Sequence, residues 1–156
     1  MRLLICGLSG SGKTSLAKEL SVKLNAMHLN ADELRKQYND WDFSDAGRLR
    51  QAHRIKNMSD KYDLVVSDFI APRAIHRHIV DADILVWMDT VKSSQYKDTD
   101  KIFEAPVDYT YRITEKDAQK WAKIISDNLN ENLNWNSDSN MSASLYSSSS
   151  RRNNYD

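Results

Sequence analysis

Apolar residues fall along this chain in short runs, separated by stretches with helical spacing. The run RLLIC at residues 2–6 predicts a buried strand. Over residues 13–24, Leu16, Ala17, Leu20 and Leu24 recur at helical spacing. A second strand is expected over 26–29 and a helix over 31–38. Another helix starts at Ser44, with Leu49, Ala52 and Ile55 on one face. DLVVSDFI at 63–70 predicts the third strand. Pro72 then opens a short helix, because proline suits a first turn. DILVWMD at 83–89 predicts the fourth strand, and residues 91–106 read as polar and irregular. YTYRI at 109–113 alternates like a fifth strand. Thr114 is expected to cap a helix that carries Ala118, Trp121, Ile124 and Ile125. Strands rich in Val, Ile and Leu alternate with helices. That order predicts a three-layer α/β domain, a parallel sheet of about five strands covered on both faces.

The pattern changes near residue 134, where the chain becomes Ser/Asn-rich and nearly free of aliphatic residues. Such a segment cannot bury enough surface to offset its ordering entropy. The expected organisation is one domain over residues 1–133 and a disordered tail over 134–156, with Trp135 as a last anchor. The 22 basic residues balance 22 acidic ones. A neutral chain has no broad electrostatic footprint for duplex nucleic acid or anionic membrane, so neither is expected as a partner. Cys6 is the single cysteine, which excludes an internal disulfide, and it reads as a small buried hydrophobe. No apolar stretch approaches the roughly 20 residues that span a bilayer, and no signal-peptide pattern opens the chain. A cytoplasmic protein is expected.

Gly7 to Thr14 reads GLSGSGKT, the G-x-x-x-x-G-K-[ST] phosphate-loop pattern, with an apolar strand before it and a helix after. Its glycines let consecutive N–H groups point at phosphate oxygens, and the helix N-terminus adds favourable partial charge. Nucleotide-binding residues are therefore expected at Gly7, Leu8, Ser9, Gly10, Ser11, Gly12, Lys13, Thr14 and Ser15. Lys13 can reach the β- and γ-phosphates, and the Thr14 hydroxyl can join a Mg²⁺ shell. The cofactors expected are ATP and Mg²⁺. Asp68, an acid closing the third apolar run, resembles a Walker B position and is the second candidate for Mg²⁺. A helix cap is its competing role.

The loop leaves open where the phosphoryl group goes. Asp32 lies just past the second strand, where ligands of open parallel sheets sit. It can orient or deprotonate a hydroxyl, support Mg²⁺ through water, or cap the helix. Arg35 lies one helical turn on, and Arg48 with Gln51 forms a second i, i+3 pair. Arginines suit bidentate contacts to phosphate or sulfate oxygens. Phe43 is an aromatic plate in a polar stretch. His76 and His78 read as surface residues.

Together these residues resemble the adenylylsulfate kinases. That family combines a G-L-S-G-S-G-K-[ST] loop with a segment like D-G-D-N-V-R-x-G-L-N and a later G-F-S-x-x-D-R-x-E-N. The corresponding segments here are NADELRKQYN, DFS and GRLRQ. Asp32, Arg35, Asn39, Phe43, Ser44 and Arg48 fall on matching positions, and Gln51 replaces an asparagine. Ile70, Ala71 and Pro72 match the I-S-P element, Arg77 a later arginine, and FEAP at 103–106 the Y-E-x-P after the lid. The resemblance covers roughly residues 2–130. It implies a P-loop kinase fold and transfer of the ATP γ-phosphoryl group to the 3′-hydroxyl of adenosine 5′-phosphosulfate (adenylylsulfate), a step of sulfate activation. It also implies Lys13 and Asp32 as catalytic residues. Asp32, Arg35, Asn39, Phe43, Arg48, Gln51, Ile70 and Ala71 would bind the acceptor, while Thr14 from the loop and Asp68 from its Walker B-like position stay the metal candidates.

Four departures stand out. Asn30 replaces the first acid, one residue is missing between Asn39 and Phe43, Gly47 replaces an acid, and KDTDKIFEAP replaces a longer arginine-bearing lid. They keep two alternatives open: a P-loop kinase for another hydroxyl, such as a polynucleotide 5′-end or a sugar, and a non-catalytic nucleotide-binding regulatory protein. The sequence leaves room for a homodimer.

Overall fold

The computed structural model describes residues 1–138 and 153–155, with side chains described through residue 132. The strands are β1 (Arg2–Cys6), β2 (Met27–Asn30), β3 (Val65–Asp68), β4 (Ile84–Met88) and β5 (Tyr111–Ile113). The helices are α1 (Lys13–Leu24), α2 (Ala31–Tyr38), α3 (Asp45–Ser59), α4 (Ala74–Val80), α5 (Lys97–Ile102) and α6 (Ala118–Asp138). A short β6 (Asn153–Tyr155) follows. The sheet order is β2-β3-β1-β4-β5-β6. Every neighbouring pair is parallel, with Leu3 opposite Val66 on one side of β1 and Ile84 on the other. The five parallel strands and two helical layers agree with the sequence reading.

Strand alternation builds the two cores. Leu3 and Ile5 face α1 and α6, where they pack with Leu16, Leu20, Trp121 and Ile125. Leu4 and Cys6 face the other way and pack with Leu34, Ala52, Ile55 and Val80. Cys6 is fully buried, and burial pushes its thiol up to about 12, so it is chemically inert.

The chain crosses to β3 on one side of β1 and to β4 on the other. That reversal opens a crevice at the carboxyl ends of the strands, where the loops after β1, β2 and β3 converge.

The structure departs from the sequence expectation in several places. Residues 91–106 are not wholly irregular. They contain α5, whose Asp100 carboxylate accepts from the Ser94 amide at 2.7 Å and hydroxyl at 2.5 Å. Six residues with this little apolar content carry no readable period. Thr114 does not cap the last helix. Asp117 does, its carboxylate accepting from the Lys120 amide at 3.1 Å, one turn later. Pro72 precedes α4 by two residues, and Arg73 holds the N-cap position. His76 is not a surface residue: it is 1% exposed, because α4 packs on α3 and sets the ring 6.3 Å from Phe69. α6 runs on to Asp138, and Asn153–Tyr155 pairs with β5. Residues 139–152 and 156 of the expected tail lie outside the described residues.

Candidate active site

The phosphate loop connects β1 to α1 through three glycines in positive-φ conformations, Gly7 at 147°, Gly10 at 79° and Gly12 at 97°. Gly7 has a steric reason besides its φ. A Cβ there would lie 2.6 Å from the Met88 carbonyl oxygen, so the loop and the end of β4 can meet only without a side chain. Lys13 is 8% exposed and its Nζ donates to the Leu8 carbonyl at 2.8 Å, which folds the ammonium back over the loop. Burial pulls its pKa below the ordinary value, and Asp68 opposes that. A polyphosphate in the loop would supply the countercharge this ammonium otherwise takes from Asp68.

Behind Lys13 lies a hydrogen-bonded group centred on Asp68, which is 3% exposed. Its Oδ1 accepts from the Thr14 hydroxyl at 3.0 Å and from Asn30 Nδ2 at 2.9 Å, and its Oδ2 accepts from His28 Nε2 at 2.5 Å. Asp68 therefore caps no helix. Thr14 gives its proton to Asp68 and accepts from Asn30 Nδ2 at 3.3 Å, which leaves one lone pair of its oxygen for a cation. Oxygen donors of this kind suit a hard divalent ion such as Mg²⁺, which takes one or two protein ligands and completes its shell with phosphate and water. Among the described residues no three His, Cys, Asp or Glu group into a metal cage. The residues present fit a Mg²⁺ brought in on a nucleotide.

Asn30, the position where the resembled family has an acid, has two functions. Its amide nitrogen joins the Asp68 group and its oxygen accepts from Glu33 N at 2.9 Å, capping α2. Asp32 is thereby relieved of the capping role and stands exposed in the first turn, on the wall of the cleft.

One continuous cleft of about 1080 Å³ is lined by Ser9, Gly10, Gly12, Lys13, Thr14 and Ser15 of the phosphate loop and the start of α1. Asp32, Arg35, Phe43, Arg48 and Ile70 line the same cleft. Phe43 is half exposed, and the Arg35 guanidinium carbon lies 4.3 Å from its ring centroid and that of Arg48 5.5 Å. Both arginines are nearly buried, and burial lowers the pKa of each without discharging a guanidinium. Their donors are used differently. Arg35 gives Nη1 to the carbonyls of Asp40 and Asp42, at 2.9 and 3.1 Å, leaving its Nε and Nη2 edge without a partner among the described residues. Arg48 gives Nε to the Phe43 carbonyl and Nη2 to the Thr99 hydroxyl, each at 2.9 Å. Its side-on fork is occupied by the chain itself.

Other expected acceptor residues lie off the cleft. Asn39 is the left-handed C-cap of α2, at φ 47°. Gln51 is fully buried, donating to the Ala31 carbonyl at 2.8 Å and accepting from Arg54 at 2.6 Å. Ala71 is fully buried at φ 46°, its carbonyl held by Arg77 at 2.7 Å. The same Arg77 donates to the Glu104 carbonyl at 2.8 Å and so ties this turn to the stretch after α5. Several cleft residues escaped sequence reasoning, among them Trp41, Tyr96, Thr99 and Lys116. Trp41 and Tyr96 sit in polar stretches just as Phe43 does, and that shared signal could have found them. Lys116 follows β5 in a turn that brings its side chain beside Gly12, a placement no spacing rule discloses.

The fold has solved counterparts. APS kinase CysC of Mycobacterium tuberculosis, in complex with AMPPNP and APS, is 25% identical, with a TM-score of 0.69 over 83% of this chain and 96% of that one. A cysteine variant of that enzyme is 29% identical, with a TM-score of 0.67 over the same shares, 83% and 96%. Shikimate kinase from Acinetobacter baumannii, in complex with shikimate, is 16% identical with a TM-score of 0.60 over 84% and 93%, a likeness of fold alone. No curated protein matches the sequence. A family model described as an AAA domain matches residues 3–130, from β1 into α6, and with its phosphate loop and cleft the chain belongs to that family as a P-loop kinase.

Proposed function

We propose that this protein is an adenylylsulfate kinase, which moves the γ-phosphoryl group of ATP to the 3′-hydroxyl of adenosine 5′-phosphosulfate and releases 3′-phosphoadenylylsulfate and ADP. One observation carries the reading. The phosphate loop and the set Asp32, Arg35, Phe43 and Arg48 line a single cleft. The likeness to an APS kinase that binds a nucleotide analogue and APS supports it.

In this reading the loop amides and Lys13 hold the β- and γ-phosphates. Thr14, backed by Asp68, helps hold Mg²⁺, which when bound neutralises charge on the triphosphate. The unpartnered Nε and Nη2 edge of Arg35 takes the phosphosulfate oxygens, and Arg48 adds charge and its remaining N–H groups. The exposed part of the Phe43 ring packs on the adenine. Asp32 accepts the 3′-hydroxyl proton as that oxygen bonds to the γ-phosphorus and the bond to ADP breaks. Ile70 adds its edge to the acceptor wall. No described helix is long and apolar enough to cross a membrane. We place the reaction in the cytoplasm, where ATP is made available.

One observation favours a second reading, a kinase for another hydroxyl acceptor. The Arg48 fork is already closed by Phe43 and Thr99, which an acceptor with fewer anionic oxygens would leave undisturbed. An acceptor panel separates the two. ADP release is followed with ATP, Mg²⁺ and, in turn, adenylylsulfate, nucleosides, shikimate, gluconate and 5′-hydroxyl oligonucleotides. ADP that rises only with adenylylsulfate is the expected result, and release with another acceptor instead would overturn it.

A further inference from the structure

We infer that His28 is a positioning residue of the nucleotide–metal site. Its imidazole holds the Asp68 carboxylate in the orientation that lets Thr14 present its hydroxyl oxygen to a divalent cation. The inference rests on the nucleotide and Mg²⁺ reading of the loop and is independent of the acceptor.

His28 and Asn30 alternate with the buried Leu29 along β2, so their side chains leave the same face of the sheet. Asn30 pairs directly with Asp68 in the parallel register, and His28 pairs with Val66, two residues back. Val66 belongs to the core under α1, so this is also the face on which α1 delivers Thr14. The Asp68 carboxylate thus receives one donor from α1 and two from β2. Two of the three, Thr14 and Asn30, share Oδ1. His28 alone satisfies Oδ2. An acceptor carboxylate at that oxygen requires the ring proton on Nε2.

The division of labour matters because a buried carboxylate oxygen cannot be left unpaired without cost. With His28 gone, Oδ2 of a residue 3% exposed has no partner among the described residues. The carboxylate then rotates toward the donors that remain. Rotation takes Oδ1 away from Thr14, and the Thr14 hydroxyl must send its proton elsewhere and turn its lone pairs. The phosphate-binding amides do not touch this arrangement, and Lys13, bonded to the Leu8 carbonyl, feels Asp68 as a charge that rotation of the carboxylate does not remove. Loss of His28 should therefore weaken the contribution of Mg²⁺ and spare the contacts made by the phosphates alone.

The test uses the whole protein and a fluorescent ATP analogue, titrated without Mg²⁺ and at rising Mg²⁺, with thermal melting as a fold control. The His28→Ala variant should keep the metal-free affinity of the wild type. It should need roughly tenfold more Mg²⁺ for half of the metal-dependent gain, the usual scale for losing a partner behind a metal ligand. His28→Gln, whose amide nitrogen can reach the place of Nε2, should restore the wild-type requirement. An unchanged Mg²⁺ requirement in His28→Ala would contradict the inference. So would equal weakening with and without Mg²⁺, which marks a purely structural residue. If His28→Ala does not fold, His28→Leu, which keeps bulk and lacks the donor, is read by the same two criteria. A wild-type protein that gains nothing from Mg²⁺ would overturn the metal reading itself, and this inference with it. Failure of adenylylsulfate as acceptor would touch neither.

Discussion

Lys13 shows how much a single side chain carries in this cleft. It is buried, its pKa is lowered by desolvation, and it bonds only a loop carbonyl. An ammonium held in that way is preorganised for phosphate, since little must move when charge develops. Lys13→Ala should cut kcat/KM by at least about 10²-fold, the scale of removing one preorganised donor. Steady-state ADP release checks this, and normal turnover would move the site elsewhere. His76 is a residue whose effect is on stability. Burial, with Arg48, Arg73 and Arg77 nearby, pushes its ring down to about 4 from 6.5. Below the unfolded value the unfolded chain takes up a proton that the folded chain refuses until about pH 4. Its contribution to stability is thus present above 6.5 and is lost as pH falls toward 4. Urea midpoints at pH 7 and pH 5 should fall less in His76→Gln than in the wild type. An equal fall would contradict the neutral buried ring. The phosphate loop was legible because its residue types are dictated by backbone geometry, as Gly7 against Met88 shows. His76 was not, because burial on α3 is decided by tertiary packing, which two histidines in a polar stretch do not disclose.

At the scale of elements, two departures from the resembled family turn out to be one. The loop after α2 is one residue shorter than the family pattern, and Gly47 stands where the family has an acid. A Cβ on Gly47 would meet the Asp42 carbonyl oxygen at 2.1 Å. The shortened loop lies directly on the first turn of α3, and only glycine leaves it room. The loop is further fixed by Asp40, which accepts from Arg50 and Arg54 at 2.8 and 2.9 Å, and the two arginines hold its carboxyl well below the usual range. Gly47→Ala should therefore destabilise the protein by about 1–3 kcal/mol, as overpacking does. Denaturant unfolding measures it, and a neutral or stabilising change would show that the loop yields freely. The elements themselves were legible where a full period could be counted, as in α1 and α3. They were not legible in α5, which is too short, or at the start of α6. There Thr114 and Asp117 both look like caps, and only the fold selects the later one.

For the whole molecule, the order of strands turns separate motifs into one cleft. β1 sits between β3 and β4, so the loops after β1, β2 and β3 open on the same edge. Spacing singled out Asp32, Arg35 and Arg48 and residue type Phe43, and the fold gathers them in one cleft with the phosphate loop. The family resemblance also nominated Asn39, Gln51 and Ala71, which the fold uses as a cap, a buried brace and a tight turn. Position in a motif does not separate a residue that touches a ligand from one that holds the wall behind it. Hydrogen-bond partners do. α5 is short, yet it reaches Arg48 in the cleft, because the Thr99 hydroxyl accepts from Arg48 Nη2. The central claim is that two anionic nucleotides meet across this one cleft. A crystal structure with a non-hydrolysable ATP analogue, Mg²⁺ and adenylylsulfate tests it most directly. The account predicts triphosphate under the Gly7–Thr14 amides, adenine against Phe43, and the phosphosulfate within hydrogen-bonding reach of Arg35 Nε and Nη2. Adenylylsulfate bound away from Phe43 and Arg35, with the triphosphate in place, would contradict it.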